Sequence, residues 1–336
     1  MDAAEDARSI LEMADLATPM AIRVAATLDL VELAGSAGAT AERLAADTGA
    51  AAPDLQCLLD HLVTIGVFAR DPGSGRYRPT ALGAQMGEGS PEGVKPLLDI
   101  DSAGGRAELG FVELLETITT GASGYVRRYG NDFWTDLDAD PRLRRSFDAQ
   151  MNWRFRVQAE QIAARVDWGR FPDVLDVGGG DGTLLAAILR AHPDVRGRVL
   201  DLPPTAAAAA DRFAAAGLDD RAGVIPGSFF DALPVGADAY LLSDILHDWD
   251  DDRARRILAG CRRAAAPHAT VVVIEPVRGQ GAHTAIDLHL LMCFSGRERT
   301  VEELVGLATD CGLVLRDSGP VAGGRTALEF AVRECE

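Results

Sequence analysis

Asp176-Val177-Gly178-Gly179-Gly180-Asp181-Gly182 follows directly on the apolar pair Val174-Leu175 and opens into an alanine- and leucine-rich stretch beginning at Thr183. A short run of buried-type residues, a glycine-rich turn and a helical pattern form the repeating unit of an α/β sheet. The glycines let the backbone turn sharply and approach a ligand closely. Outward from this point the same texture recurs. Apolar runs at Arg198-Val199-Leu200, Gly223-Val224-Ile225, Ala239-Tyr240-Leu241-Leu242 and Val271-Val272-Val273-Ile274 are separated by helical segments, among them Ala206 to Ala210. Strands without polar alternation, spaced by helices, predict a parallel doubly wound sheet covered on both faces. The last runs, Leu313-Val314-Leu315 and Ala327-Leu328-Glu329-Phe330, have no helix between them and are expected as strands at the sheet edge.

The glycine spacing bears on the ligand. A dinucleotide fingerprint G-x-G-x-x-G counted from Gly178 and Gly180 needs its third glycine at 183, where Thr183 stands. The glycine falls at Gly182 instead, giving D-x-G-x-G-x-G with Asp176 leading. This spacing resembles motif I of Rossmann-like S-adenosylmethionine-dependent methyltransferases, in which no pyrophosphate has to be cradled. The second strand ends at Asp201, placed to accept from ribose hydroxyls; that feature suits NAD equally, and Asp201 could also serve as a helix cap before Pro203.

The fourth strand runs into Ser243-Asp244-Ile245-Leu246-His247-Asp248-Trp249-Asp250-Asp251, followed by a helix expected over Arg253 to Ala266. His247 thus lies beyond the carboxyl end of a parallel strand, where doubly wound sheets bind their ligands. Leu-His-Asp-Trp-x-Asp together with the glycine motif resembles the plant-type and bacterial small-molecule O-methyltransferases, including enzymes that tailor aromatic polyketides, and the resemblance spans essentially the whole chain. It implies a class I methyltransferase fold, S-adenosylmethionine as cofactor with S-adenosylhomocysteine as product, and His247 as general base. It further implies two glutamates that orient the ring, Glu275 after Val-Val-Val-Ile and Glu298 in Gly296-Arg297-Glu298-Arg299-Thr300. Glu298 could equally be a surface ion-pair residue between its arginines. The implied cofactor contacts are Asp176, Gly178, Gly180, Asp201 with Leu202, Ser228, Phe229 and Ser243. The plant pattern has Asp-Met where this chain has Ser228-Phe229 and Lys where it has Ser243. On the substrate side the resemblance implies Met151, Phe147, Asn152 and Asp248.

The chemistry asks for these residue types. A phenol ionising near 10 facing an imidazole near 6.5 gives up its proton uphill by about 5 kcal/mol in water. A carboxylate on the far ring nitrogen stabilises the imidazolium and leaves the other nitrogen free to accept. A sulfonium is already an activated methyl donor, so alignment is the main requirement and no metal is called for. The other histidines, His61, His192, His268, His283 and His289, have no companion motif.

Ahead of the sheet, residues 1–90 read as helices followed by a hairpin. Ile10, Leu11, Ala14, Met20, Val24 and Leu28 recur at helical spacing; Thr40 caps Glu42 to Asp47; Pro53 opens a helix through Leu62; and Gly66-Val67-Phe68-Ala69 turns at Asp71 to Gly75 into Arg76-Tyr77-Arg78. This is a winged-helix order. The helix that would enter a DNA groove carries Asp54 and Asp60 and no Lys or Arg, so a dimerisation platform is expected instead. Residues 91–166 read as a helical region with an aromatic cluster at Tyr125, Tyr129, Phe133, Trp134, Phe147, Trp153 and Phe155, either core or pocket wall. Residues 167–336 form the cofactor-binding domain.

A formal charge of −18 repels nucleic acid and anionic lipid. The five cysteines are scattered without zinc-like spacing and suit a reducing compartment. The acidic Met1-Asp2-Ala3-Ala4-Glu5 has no signal-peptide pattern, and no run approaches the ~20 apolar residues of a membrane span. The expectation is a cytoplasmic homodimeric enzyme acting on a small hydroxylated aromatic, with neither nucleic acid nor membrane as partner. Rival readings are a relative that decarboxylates or hydroxylates polyketides, an NAD-dependent oxidoreductase and a transcriptional regulator.

Overall fold

The computed structural model describes residues 9–90, 93–280, 284–294 and 296–333, without the side chains of 152–154. Two compact units divide the chain: residues 1–109 with 140–150, and residues 110–139 with 151–336. The helix Pro141–Arg165 contributes its first turns to one unit and the remainder to the other.

In the first unit, five helices (Ile10–Ala14, Ala17–Thr27, Leu30–Ala34, Ala41–Thr48 and Ala52–Thr64) precede an antiparallel pair, β1 (Phe68–Arg70) and β2 (Tyr77–Pro79). Local chemistry sets the boundaries. Ser9 and Glu12 close a capping box, Thr40 Oγ1 accepts from the Arg43 N–H, and Pro53 occupies the first turn of its helix. Asp71 Oδ1 takes the N–H groups of Gly73 and Ser74 and so fixes the hairpin turn. Leu30, Leu44, Leu55, Leu59, Leu62, Phe68 and Tyr77 form the core, and the Tyr77 hydroxyl donates to Asp60 Oδ1 at 2.6 Å.

The second unit is built on a seven-stranded sheet. Its strands are β3 (Asp173–Val177), β4 (Arg196–Asp201), β5 (Ala222–Pro226), β6 (Ala239–Ser243), β7 (Thr270–Pro276), β8 (Leu313–Ala322) and β9 (Arg325–Val332), in the spatial order β5-β4-β3-β6-β7-β9-β8. The first five in that order are parallel; β9 is antiparallel to both neighbours, leaving β8 at the edge. Side-chain alternation splits the apolar residues between two faces. Val174, Leu241, Val272 and Ile274 pack on one side, and Leu175, Val177, Leu242, Val271 and Val273 on the other. Helices such as Thr183–Ala191 and Asp251–Ala264 cover those faces. The latter begins two residues earlier than the sequence suggests, because the Asp250 carboxylate caps it by accepting from the Arg253 N–H at 2.8 Å.

From β3 the chain winds one way into β4 and β5, and with β6 and β7 it winds the other way. The turns after β3 and β6 therefore open on opposite sides of one crevice, the switch point at which such sheets bind ligands. Among the described residues no helix is long and apolar enough to cross a membrane.

Candidate active site

The turn after β3 has a backbone that only glycine adopts easily. Gly178, Gly180 and Gly182 take φ of +77°, +61° and +76°. A Cβ on Gly178 would lie 2.6 Å from Ile245 Cδ1 and 3.3 Å from the Phe229 ring. The loop is drawn onto β4, since the Gly178 N–H donates to the Leu200 carbonyl (2.8 Å) and the Gly180 N–H to Asp201 Oδ2 (2.9 Å). Asp201 Oδ1 accepts from the Leu202 N–H at 2.7 Å, so its carboxylate faces the glycine loop and leaves the helix Pro203–Ala215 without a side-chain cap.

Beneath that loop lies Asp176. A Cβ on Gly179 would stand 2.5 Å from its carboxyl carbon, which is why glycine is needed there as well. Burial, reinforced by the negative Asp201, pushes the Asp176 carboxyl up to about 7. Among the described residues neither Asp176 Oδ2 nor the buried Ser243 hydroxyl has a hydrogen-bond partner. Ser228 Oγ accepts from the Phe230 N–H at 3.1 Å, and the Phe229 ring meets the Trp249 ring edge-on at 5.9 Å. A left-handed glycine cradle, an oriented acid at the next strand end, two buried polar groups with unmet capacity and an aromatic edge fit the S-adenosylmethionine that the sequence suggests.

On the other side of the crevice, His247 occupies a 3₁₀ turn, Leu246–Asp248, just beyond β6. Its ring is largely buried, with Nδ1 3.3 Å from Glu275 Oε2 and Nε2 3.5 Å from Asp248 Oδ1. Glu275 is the penultimate residue of β7, and its Oε1 accepts from the N–H groups of Ile245 (3.0 Å) and Leu246 (2.6 Å). One carboxylate thus holds the start of the turn with one oxygen and faces the imidazole with the other, within ion-pair distance and without a formed hydrogen bond between them. Burial pushes the Glu275 carboxyl well above the usual carboxylate range, the negative Asp244 adds to this, and the two N–H donors oppose it.

Asp244 and Arg325 were not singled out from the sequence, yet they form a buried bidentate ion pair beside this couple. Arg325 Nε donates to Asp244 Oδ1 at 2.8 Å and Nη2 donates to Oδ2 at 2.5 Å, with both side chains under 10% exposed. Asp244 holds a left-handed φ of +53°, rare for a side-chain-bearing residue. Glu298 is 2% exposed, which removes the surface ion-pair alternative. Burial with the negative Asp287 and Asp244 pushes its carboxyl up to about 7, against the pull of Arg325 and Arg278. The His247 ring faces Glu275 and Asp248, while Glu298 joins the acidic cluster around Asp244.

Among the middle-region aromatics, Tyr125 and Phe133 are core, with the Tyr125 hydroxyl donating to Asp136. Trp134 stacks on Phe294 (5.3 Å, 29°) and on Trp249 (5.8 Å, 17°), so three rings line up next to the His247 turn. Phe294 carries no motif and could not be found from the sequence. Met151 is half-buried in the second unit and Phe147 belongs to the first; the side chains of Asn152 and Trp153 lie outside the described residues, as do His283 and Cys335. Of the remaining histidines, His61 contacts Thr18 Oγ1 at 3.1 Å, His192 the Ala163 carbonyl at 3.2 Å and His289 the Ala285 carbonyl at 3.1 Å, while His268 is exposed.

Residues 111–314 match the O-methyltransferase domain family, and residues 11–86 match the O-methyltransferase dimerisation domain family. The chain is 48% identical over 311 residues to the 2,7-dihydroxy-5-methyl-1-naphthoate 7-O-methyltransferase of Streptomyces carzinostaticus, covering 92% of this chain and 93% of that protein. It is 40% identical over 329 residues to the aclacinomycin 10-hydroxylase of Streptomyces purpurascens, covering 96% and 88% respectively. Among solved structures it resembles an O-methyltransferase of neocarzinostatin biosynthesis in complex with S-adenosylmethionine and 2-hydroxy-5-methyl naphthoic acid. That match has a TM-score of 0.90 at 46% identity and covers 97% of this chain and 99% of the other.

Proposed function

This chain belongs to the O-methyltransferase family, and on that premise we propose how its residues move a methyl group from S-adenosylmethionine to a hydroxyl of a small aromatic compound. When bound, S-adenosylmethionine supplies a methyl group already activated on a sulfonium sulfur. Asp176, Gly178, Gly180, Asp201 with Leu202, Ser228, Phe229 and Ser243 hold it at the switch point. His247 Nε2 takes the acceptor hydroxyl proton, and Glu275 receives the charge that this places on the ring.

The observation that carries this reading is the His247–Glu275 couple, 3.3 Å apart and nearly dry. An isolated buried carboxylate is costly to keep ionised, and a proton arriving on the adjacent imidazole turns it into half of an ion pair. With Glu275 ionised, the ion pair it makes with the imidazolium offsets part of the ~5 kcal/mol deficit in water as the phenol is deprotonated. Glu298 adds negative charge to the same region and is assigned as the second supporting glutamate. Met151, Phe147, Asn152 and Asp248 are assigned to the acceptor side.

The acceptor class follows from the relatives and from the Trp134, Trp249 and Phe294 stack: a planar hydroxylated aromatic of naphthoate size. The N-terminal dimerisation match supports a homodimer, and the enzyme is assigned to the cytoplasm. The test is purified protein with methyl-labelled S-adenosylmethionine and a panel of hydroxylated benzoates and naphthoates, followed by mass spectrometry. An O-methyl ether is expected. His247→Ala should lose on the order of 10²-fold or more in kcat while binding S-adenosylmethionine as before. Full activity in that variant removes the base assignment, and a hydroxylated or decarboxylated product in place of the ether overturns the reaction.

A further inference from the structure

Arg299, flanking Glu298 in Gly-Arg-Glu-Arg-Thr, has no role in the reading above, yet it is 2% exposed. A guanidinium is taken out of water only where its donors are satisfied, and the acceptors here are specific. Nη1 donates to the Leu246 carbonyl (2.8 Å) and Nη2 to the Trp249 carbonyl (2.7 Å), the two peptides that bracket His247 and Asp248. Nε and Nη2 also reach Asp251 Oδ1, at 3.0 and 2.8 Å, in the first turn of the following helix. The Arg299 backbone is itself fixed to the extension of β7: it bridges Val277, and its carbonyl accepts from the Arg278 N–H at 3.0 Å. The same segment touches the turn a second time at Gly296, where a Cβ would stand 1.9 Å from the His247 carbonyl oxygen.

The Leu246 backbone is consequently gripped on both sides by buried polar side chains. Its N–H goes to Glu275, which also faces the His247 ring, and its carbonyl goes to Arg299. We infer that Arg299 is a positioning residue for His247: it clamps the carbonyls on either side of the base, so that the ring keeps its place between Glu275 and the acceptor hydroxyl. Arg299 touches neither acceptor nor cofactor in this role, and the inference rests on His247 being the base. Lysine cannot replace it fully, because one ammonium lacks the planar fork that spans two carbonyls and a carboxylate.

The experiment compares kcat, KM and the affinity for S-adenosylmethionine in Arg299→Met, Arg299→Lys, Gly296→Ala, His247→Ala and Arg297→Met, each assayed below its melting temperature. Arg299→Met is expected to lose roughly 10- to 100-fold in kcat, the usual cost of removing a group that orients a functional side chain, with cofactor affinity within about 2-fold. Arg299→Lys should recover part of the loss. Arg297→Met, which breaks only half-exposed ion pairs to Glu303 and Asp251, should keep wild-type kcat. Two acceptors separate positioning from general weakening: one hydroxyl that is protonated at the assay pH and an electron-poor one already ionised there. A residue acting through the base matters only for the first, so the Arg299→Met deficit should shrink with the second, as should that of His247→Ala. Gly296→Ala perturbs the same turn from the other side and serves if Arg299→Met does not fold. An inactive His247→Ala with wild-type kcat in the Arg299 and Gly296 variants sinks this inference alone, as does an equal deficit on both acceptors. Full activity in His247→Ala sinks the base and the inference with it.

Discussion

Glu298→Gln separates the stability cost of the acidic cluster from its function. Glu298 is buried, its N–H donates to Asp287 Oδ1 at 2.8 Å, and its carboxyl is raised from 4.5 to about 7 by burial, Asp287 and Asp244. An acid raised in the native state holds its proton more tightly than in the unfolded chain. Its contribution is therefore fully present below about pH 4.5 and is lost as pH rises through 7. Two and a half pH units at 1.36 kcal/mol each amount to ~3 kcal/mol lost by pH 8, as an upper figure. Glutamine has nearly the same shape and no charge to bury, so the variant escapes that loss. Glu298→Gln is expected to melt several degrees above the wild type at pH 8, from roughly 2–4 °C per kcal/mol for a domain of this size, and at nearly the wild-type temperature at pH 5. Calorimetry of both proteins at pH 5, 6.5 and 8 and constant ionic strength provides the readout, with methyl transfer measured alongside and expected to fall. A lower melting temperature at pH 8, or a difference independent of pH, would refute the account of this carboxyl's surroundings.

Two further outcomes follow from the geometry. Gly178→Ala sets a side chain at φ +77° and 2.6 Å from Ile245 Cδ1; titration calorimetry should show S-adenosylmethionine bound on the order of 10-fold more weakly or worse, with ~1–2 kcal/mol of added backbone strain, and unchanged affinity would remove the loop from the cofactor site. Asp244→Asn keeps a residue tolerant of left-handed backbone but leaves Arg325 buried without its carboxylate, and urea unfolding should register a loss of ~3–5 kcal/mol; a change under 1 kcal/mol would mean that water or another acid takes over.

What could be read without coordinates is what local chemistry decides. Apolar runs of strand length, glycines at turn positions and the cap at Thr40 act over a few residues, so the doubly wound sheet, the glycine turn after β3 and the placement of His247 beyond β6 were all legible, whereas the Asp250 cap was not. Glu275 was found through its resemblance-derived position, and the structure adds the reason it suits that place: one oxygen for the turn and one facing the ring. Arg297-Glu298-Arg299 shows where such reading stops. Three successive residues of one extended segment meet three different surroundings, and only the packing of that segment on the His247 turn determines which of them are dry. Arg297 pairs with Glu303 near the surface, Glu298 enters the acidic cluster, and Arg299 is buried against the carbonyls of Leu246 and Trp249. The ion pair of Asp244 with Arg325 joins residues 81 positions apart and exists because β9 inserts antiparallel beside β7. Short-range pattern determined the elements of this protein, whereas the burial of charge around its base was decided by tertiary structure, since desolvation depends on which surfaces meet and leaves no mark at fixed spacing along the chain.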